Sequence, residues 1–214
     1  MRIAILIFDR FTALDAVGPY EVLSRIPGAE LDFVAQQAGP KRTDTGRLVV
    51  EAALSLDEVK APEILLVPGG EGNRPLLEDE EVLDWLRSAH ETSRWTTSVC
   101  TGSLLLGTAG ILEGLRATSH WVYLDSLRAY GAEPVSERVV EDGKVITAAG
   151  VSAGIDMALH LASKVAGEEV AQAIQLGIEY DPEPPLDAGS PHKAPASVVE
   201  LVRGMERPPD GSAP

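Results

Sequence analysis

The residue with the greatest chemical potential in this chain is Cys100, its single cysteine. It follows Trp95–Val99, which is predicted to be a strand, and precedes an apolar helix around Leu104–Leu106 that stops near Gly107–Gly110. Gly102 permits the close backbone approach that a sharp strand-to-helix turn requires. The pattern is the cysteine counterpart of the nucleophile elbow, in which a turn lifts a side chain to the top of a sheet.

A thiol in this position has a physical reason to be reactive. A helix N-terminus offers unpaired N–H groups and a partial positive charge, and both lower a thiol pKa. The alternative is structural, because a free cysteine also packs as a small hydrophobic residue. We therefore treat Cys100 as a candidate nucleophile whose surroundings decide between these two interpretations.

Two further loops carry candidate residues. Asp15 lies on the loop that leaves the first predicted strand, Arg2–Phe8, just before a helix whose first turn holds Pro19. An aspartate is also common at a helix entry, so a purely structural role is open. Gly69 and Gly70 follow a strongly apolar strand and can expose two backbone N–H groups, which is the form of an oxyanion site. A plain turn between strand and helix explains this Gly pair equally well.

Strands alternate with helices along the chain, which predicts an α/β fold with a mostly parallel sheet and helices on both faces. Binding sites in such sheets lie outside the carboxyl ends of the strands. The Asp15 loop, the Gly69–Gly70 loop and Cys100 all leave such ends, so we expect them to converge on one edge. The proline-rich stretch Tyr180–Pro195 is predicted to be extended and packed against the body or a partner subunit, near the active-site mouth. We expect one domain over residues 1–206 and a disordered tail over 207–214.

The composition excludes several classes of function. The 214 residues are 44% hydrophobic and carry a formal net charge of −15, which opposes binding to nucleic acid. One cysteine excludes an internal disulfide and fits a reducing compartment, so a cytoplasmic location is expected. The apolar start MRIAILIF lacks the features of a signal peptide, and no run is long enough to span a membrane. The four histidines and the cysteine show no metal-ligand spacing, so no metal or cofactor is expected.

Several segments resemble the ThiJ/PfpI superfamily of flavodoxin-like α/β proteins. They are IAILIF, LDAVGPYEVL, ILLVPGG, SVCTGSLLLGTAGILEGLRATSHW and VSAGIDMALHL. The combination of Asp15, Cys100 and Thr101 with the tail IQLGIEYDPEPPLDAGSP is similar to the isonitrile hydratase branch. The resemblance implies that Cys100 is the nucleophile, Asp15 the general acid and base, and Thr101 a supporting hydrogen-bonding residue. It also implies a homodimer that acts on a small-molecule substrate.

Three differences between this sequence and other branches of the superfamily narrow the range of expected activities. Thr101 stands where the intracellular proteases have a histidine, which counts against peptidase activity. Asp15 stands where the chaperone and deglycase-like members have a glutamate. The chain also shows no basic region after the matching segments, so we expect no DNA-binding helix-turn-helix module.

The resemblance leads to an expected reaction, the addition of water to an isonitrile. Thiolate attack would place negative charge on the isonitrile carbon unless an acid supplies a proton, and Asp15 is the candidate. The N–H groups of Gly69 and Gly70 are expected to stabilise charge during breakdown of the intermediate, and His120 is given a minor role near Cys100. Two alternatives are open: a glyoxalase-like enzyme acting on α-oxoaldehydes, and a non-enzymatic redox or stress sensor that uses Cys100.

Overall fold

The structure is a computed structural model that describes residues 1–206, so the tail predicted for residues 207–214 lies outside the described residues. Its strands, in chain order, are β1 (Arg2–Leu6), β2 (Glu30–Ala35), β3 (Gly39–Arg42), β4 (Val49–Ala52), β5 (Leu54–Ser55), β6 (Ile64–Val67), β7 (Trp95–Val99), β8 (Arg116–Ala117), β9 (Glu133–Pro134), β10 (Val139–Asp142) and β11 (Val145–Ala148). Its α-helices are α1 (Ala13–Leu23), α2 (Glu80–Thr92), α3 (Gly102–Thr108), α4 (Ala153–Ala166), α5 (Glu168–Gly177) and α6 (Ala196–Glu206). Short 3-10 helices cover Leu56–Glu58, Glu71–Asn73, Pro75–Glu78 and Leu124–Tyr130.

The main sheet has seven strands in the order β10-β11-β7-β6-β1-β2-β5. Every neighbouring pair is parallel except β10–β11, which is antiparallel. Helices lie on both faces, and the architecture is the predicted flavodoxin-like α/β sandwich. The strand order reverses direction between β1 and β6, which is the point where such sheets bind ligands. The loops after β1, β6 and β7 therefore leave neighbouring strands at one edge.

The centre of the sheet is built from short aliphatic runs. Every residue of β6 is buried, and Ile3 to Leu6 of β1 are at most 1% exposed. Parallel strands covered by helices on both faces need continuous apolar sequences of this kind. The helix α2 begins where Asp79 accepts hydrogen bonds from the N–H groups of Glu81 and Val82, and then buries one apolar face. The aliphatic core thus fixes the three strand ends that carry the candidate residues.

The start of α1 differs from the prediction. The helix begins at Ala13, so Asp15 lies in its first turn and not on the preceding loop. Pro19 lies within the helix, where its missing N–H removes one hydrogen bond of the ladder. Proline is compatible with a first turn, and that preference placed the predicted start too late.

Other boundaries follow the sequence closely or differ for identifiable reasons. The strand Trp95–Val99 has the predicted bounds. Asp142 and Gly143, a pair of residues typical of hairpin turns, join the antiparallel strands β10 and β11. Leu124–Tyr130 forms a 3-10 helix, and Gly131 follows it with a left-handed φ of 75°. The pairing of β3 with β4 in a separate small sheet was not predicted. Tyr180–Pro195 contains neither a helix nor a strand.

No helix among residues 1–206 combines the length and the apolar composition needed to cross a membrane.

Candidate active site

Cys100 occupies the turn between β7 and α3 in a strained backbone conformation. Its φ is 58°, in the left-handed region that residues with a side chain rarely adopt. Its N–H donates to the carbonyl oxygens of Ala148 and Ala149, at 3.0 and 3.1 Å. Its own carbonyl oxygen accepts from the hydroxyls of Ser103 and Ser119, each at 3.1 Å. The turn is therefore held from both sides, and such strain is typical of functional sites.

Gly102 explains why the turn can pack so tightly. A Cβ at this position would lie 2.1 Å from the carbonyl oxygen of Val67, at the end of β6. No side chain fits at that distance from backbone, so the approach of α3 to β6 requires glycine. The close approach brings the residue after Cys100 next to the loop that follows β6.

Asp15 lies completely buried beside Cys100 and is the only carboxyl group among residues 1–205 with no solvent exposure. Its Oδ2 atom accepts a hydrogen bond from the Gly69 N–H at 2.9 Å. Burial raises the pKa of the Asp15 carboxyl to about 7, although the Gly69 N–H and the Cys100 thiol partly offset this and Asp44 adds to it. The site therefore places a carboxyl group that can be protonated at neutral pH beside the candidate nucleophile.

The N–H groups of Gly69 and Gly70 are engaged differently from what their position after β6 predicts. Gly69 donates to Asp15, and the Gly70 N–H donates to the Thr101 hydroxyl oxygen at 3.1 Å. Both donors therefore have partners within the chain, and their use as an oxyanion site stays a prediction. A Cβ on Gly69 would lie 2.5 Å from Thr101 Oγ1 and 3.0 Å from Asp15 Oδ2. Glycine at this position therefore lets Asp15 and Thr101 pack closely on either side of the loop.

Cys100 opens into a cavity of about 820 Å³. Thr101, Gly70 and His120 also line it, so the fold gathers those predicted residues around one opening. Cys100 itself is 7% exposed. The His120 ring packs against Gly150, where an added Cβ would lie 2.7 Å from its Cδ2 atom. His120 thus forms part of the cavity wall, and its minor catalytic role stays a prediction.

Asn73 and Val151 belong to the site but were not singled out from the sequence. The Asn73 side chain is 3% exposed and its Nδ2 donates to the Thr101 carbonyl oxygen at 3.0 Å, which supports the turn after Cys100. Val151 lines the cavity with a φ of 36°, unusual for a β-branched residue. The only sequence signal for Asn73 is a polar residue in a glycine-rich loop after a buried strand. No local signal distinguishes Val151.

Within residues 1–206, no group of three or more His, Cys, Asp or Glu side chains is arranged to hold a metal ion.

Comparisons with known proteins agree with this architecture. The model of the DJ-1/PfpI family matches residues 1–164. The chain is 44% identical over 208 residues to the isonitrile hydratase of Pseudomonas putida, an alignment that covers 97% of this chain and 91% of that protein.

Solved structures extend the comparison to three dimensions. A ThiJ/PfpI family protein from Pseudomonas syringae matches with a TM-score of 0.93 at 37% identity, covering 95% of this chain and 85% of that one. Drosophila melanogaster DJ-1beta matches with a TM-score of 0.76 at 21% identity, covering 85% and 98% of the two chains. The second likeness concerns the fold alone.

Proposed function

Because the chain belongs to the DJ-1/PfpI family, we propose that it adds water to isonitriles and releases N-substituted formamides. The observation that carries this proposal is the buried pair of Asp15 and Cys100. The pair supplies a nucleophile and a carboxyl group that can hold a proton at neutral pH. The 44% identity to an isonitrile hydratase over nearly the whole chain supports the choice of reaction.

The first step joins sulfur to the substrate. The Cys100 thiolate attacks the terminal carbon of R–N≡C while the Asp15 carboxyl delivers a proton to the same carbon. The product is a thioimidate, R–N=CH–S–Cys100, and Asp15 is left ionised. Coupling the two events avoids a free carbanion, which is the contribution expected of a general acid.

The second step consumes water. The Asp15 carboxylate takes a proton from a water molecule as the water oxygen attacks the thioimidate carbon, and it passes this proton to the substrate nitrogen. The hydroxyl group of the adduct then gives its proton to Asp15 as the carbon–sulfur bond breaks, which expels the Cys100 thiolate and releases R–NH–CHO. Asp15 has its proton again, so the sum is one isonitrile plus one water, divided into two easier steps.

The proton that the pair shares explains why Asp15 must be buried. Two neighbouring anions repel, so Asp15 and Cys100 together retain one proton over a wide pH range. A carboxyl pKa of about 7 makes the donor and acceptor forms of Asp15 similarly populated at neutral pH. An exposed aspartate would be almost entirely ionised and could not act as the acid.

The neighbouring residues have positioning roles in this proposal. Gly69 orients the Asp15 carboxyl through its N–H, and Gly70 orients Thr101 in the same way. Thr101 presents its hydroxyl oxygen beside the reacting atoms, and His120 closes part of the cavity wall.

The reaction is tested by supplying purified protein with cyclohexyl isonitrile and, separately, with methylglyoxal. Formation of N-cyclohexylformamide, measured by chromatography, supports the proposal. Consumption of methylglyoxal without any formamide would replace it with the glyoxalase-like activity. If neither compound is turned over and Cys100 is instead readily oxidised by peroxide, the redox-sensor alternative replaces both.

We extend the proposal to a homodimer formed through residues 179–206, here called the C-terminal arm. Apolar residues recur along α6 at helical spacing, yet Leu201 and Met205 are 59% and 71% exposed, and Leu186 in the preceding segment is 75% exposed. Uncovered apolar surface of this kind marks interaction sites. The Arg203 guanidinium lies 5.6 Å from the ring of Trp121, the residue that follows His120. This contact between α6 and the body supports a single domain over residues 1–206. It also supports an interface that lies near the cavity.

Light scattering after size exclusion tests the dimer. Leu201→Ser should shift the protein towards monomer, whereas the neighbouring exposed change Glu200→Gln should not. A wild-type monomer at all concentrations would contradict the assembly without affecting the reaction. The cytoplasmic location and the absence of a nucleic-acid partner stay predictions from the single cysteine and the net charge of −15.

A further inference from the structure

The cavity at Cys100 is much larger than an isonitrile group needs. Its volume of about 820 Å³ is in the range of pockets that enclose drug-sized molecules, roughly 300–1,000 Å³. The isonitrile carbon and nitrogen occupy only the end next to Cys100. Most of the cavity is therefore available to the group attached to nitrogen, which argues against a small alkyl substrate.

One part of the lining is apolar and aromatic. Leu104 of α3 lies beside Cys100, and Tyr123 and Tyr130 come from the segment that follows β8. Both tyrosines are partly buried against the core, so their rings are held in place. Fixed aromatic rings favour offset or edge-to-face contacts with a second aromatic ring. This set of residues suits an aryl side group.

Another part of the lining is acidic. It contains the carboxylates of Asp44, Glu71 and Glu78 and a single cationic side chain, Arg74. Glu71 forms an ion pair with Arg10. Among residues 1–206, neither Asp44 nor Glu78 lies within ion-pair distance of a cation.

Asp44 is the best-fixed charge of the acidic lining. Its Oδ2 accepts from the Thr12 hydroxyl at 2.9 Å, and its Oδ1 accepts from the Thr45 N–H at 2.7 Å. Its charge helps to raise the pKa of Asp15, so its field reaches the reacting end of the cavity. The overall net charge of −15 has the same sign. A substrate carboxylate would meet repulsion here, whereas an ammonium group would meet an ordered, unneutralised carboxylate.

We propose that the preferred substrate is an aryl isonitrile that also carries a cationic amine, and that carboxylate-bearing isonitriles are poor substrates. The inference rests on the proposed hydration of isonitriles and adds the chemical class of the side group. The aryl ring packs among Leu104, Tyr123 and Tyr130, and the amine lies near Asp44.

Three phenyl isonitriles with a para aminomethyl, methyl or carboxylate group test the charge preference. We expect kcat/KM at neutral pH and low salt to fall in that order, with at least about threefold between neighbours. Asp44→Asn should reduce the ratio between the aminomethyl and carboxylate compounds, whereas Asp57→Asn, the same exchange at an exposed site outside the cavity, should leave it unchanged. Because each variant is described by the ratio of kcat/KM for two compounds, differences in the intrinsic reactivity of the compounds cancel when the variants are compared.

The possible outcomes distinguish failure of the proposed side group from failure of the proposed hydration reaction. Equal kcat/KM values, a preference for the carboxylate, or a ratio that Asp44→Asn does not change would overturn the charged class while hydration still stands. A KM for ethyl isonitrile no higher than for the para-methyl compound would overturn the aryl class. If none of these compounds, nor cyclohexyl isonitrile, gives a formamide, the proposed function itself fails and this inference with it.

Discussion

The sheet edge at Cys100 and the C-terminal arm differ in what surrounds their side chains. At the edge, Asp15 is fully buried and its Oδ2 is paired with Gly69, while Thr101 is paired with Gly70. In the C-terminal arm, by contrast, the apolar side chains of Leu186 and Leu201 are largely exposed. These polar atoms of the first region have partners within the chain, whereas the apolar side chains of the second region are exposed.

This difference assigns separate tasks to the two regions. Buried polar groups with partners form a rigid arrangement, because any movement would leave a donor or acceptor unsatisfied at a cost of about 1–3 kcal/mol. The catalytic geometry in our proposal therefore exists before a substrate or a partner binds. The arm gains most of its apolar burial only when something else covers it, and our proposal assigns that role to a second copy of the chain.

Apart from loss of the Cys100 nucleophile itself, the largest effect should come from removing the Asp15 acid at the sheet edge. Asp15→Asn keeps the shape and can still accept the Gly69 N–H, but it cannot deliver a proton to the isonitrile carbon. We expect kcat/KM for cyclohexyl isonitrile to fall by about 10²–10⁴. Circular dichroism should show an unchanged fold, and Asp57→Asn should keep the wild-type rate. A wild-type rate in Asp15→Asn would remove the general acid from the mechanism.

The same aspartate should make stability depend on pH. Burial raises the pKa of Asp15 to about 7 from its ordinary value of 3.8, so the native state binds the proton more tightly than the unfolded chain does. This group's contribution to the free energy of unfolding therefore decreases as the pH rises from about 4 to about 7, and then stays level.

The variant Asp15→Asn isolates this contribution. We expect wild type to lose stability relative to Asp15→Asn between about pH 4 and about pH 7, as measured by urea unfolding at several pH values. A constant difference between the two proteins over that interval would show that Asp15 does not bind its proton more tightly in the native state.

The same exchange at two glycines sharpens the comparison of the two regions. Gly102→Ala would place a Cβ 2.1 Å from the Val67 carbonyl oxygen, so we expect a loss of stability of about 1–3 kcal/mol or more. For Gly204, within α6, no atom of residues 1–206 outside its own helix lies within 4 Å of an added Cβ. Gly204→Ala should stabilise the protein by up to about 1 kcal/mol, because alanine favours the helix. Urea unfolding measures both, and equal effects would contradict the contrast.

Local pattern was sufficient to predict the elbow but not its surroundings. The strand Trp95–Val99, Cys100 and Gly102 are adjacent in sequence, and their order determines the turn. The partners of Gly69 and Gly70 are Asp15 and Thr101, which come from distant parts of the chain, so spacing alone suggested free donors where the fold has paired ones. The resemblance to a known family had already associated Asp15 with Cys100.

Charge and burial were the least predictable properties. Asp44 belongs to the turn between β3 and β4, whose pairing was not predicted, so nothing in its local sequence indicated a place at the cavity. The raised pKa of Asp15 results from burial, which is a property of the folded chain and cannot be read from the loop sequence. In our proposal, the environment of Leu201 depends on a second copy of the chain, which the local sequence cannot describe.

The central claim is that Cys100 carries out isonitrile hydration in a site with Asp15 in place. Its most direct test is the rate of N-cyclohexylformamide formation by wild type and by Cys100→Ala, which removes only the sulfur from a turn held by backbone hydrogen bonds. We predict formamide from wild type and none above the buffer rate from Cys100→Ala. Formamide formation at the wild-type rate by Cys100→Ala, or none by wild type, would contradict the account.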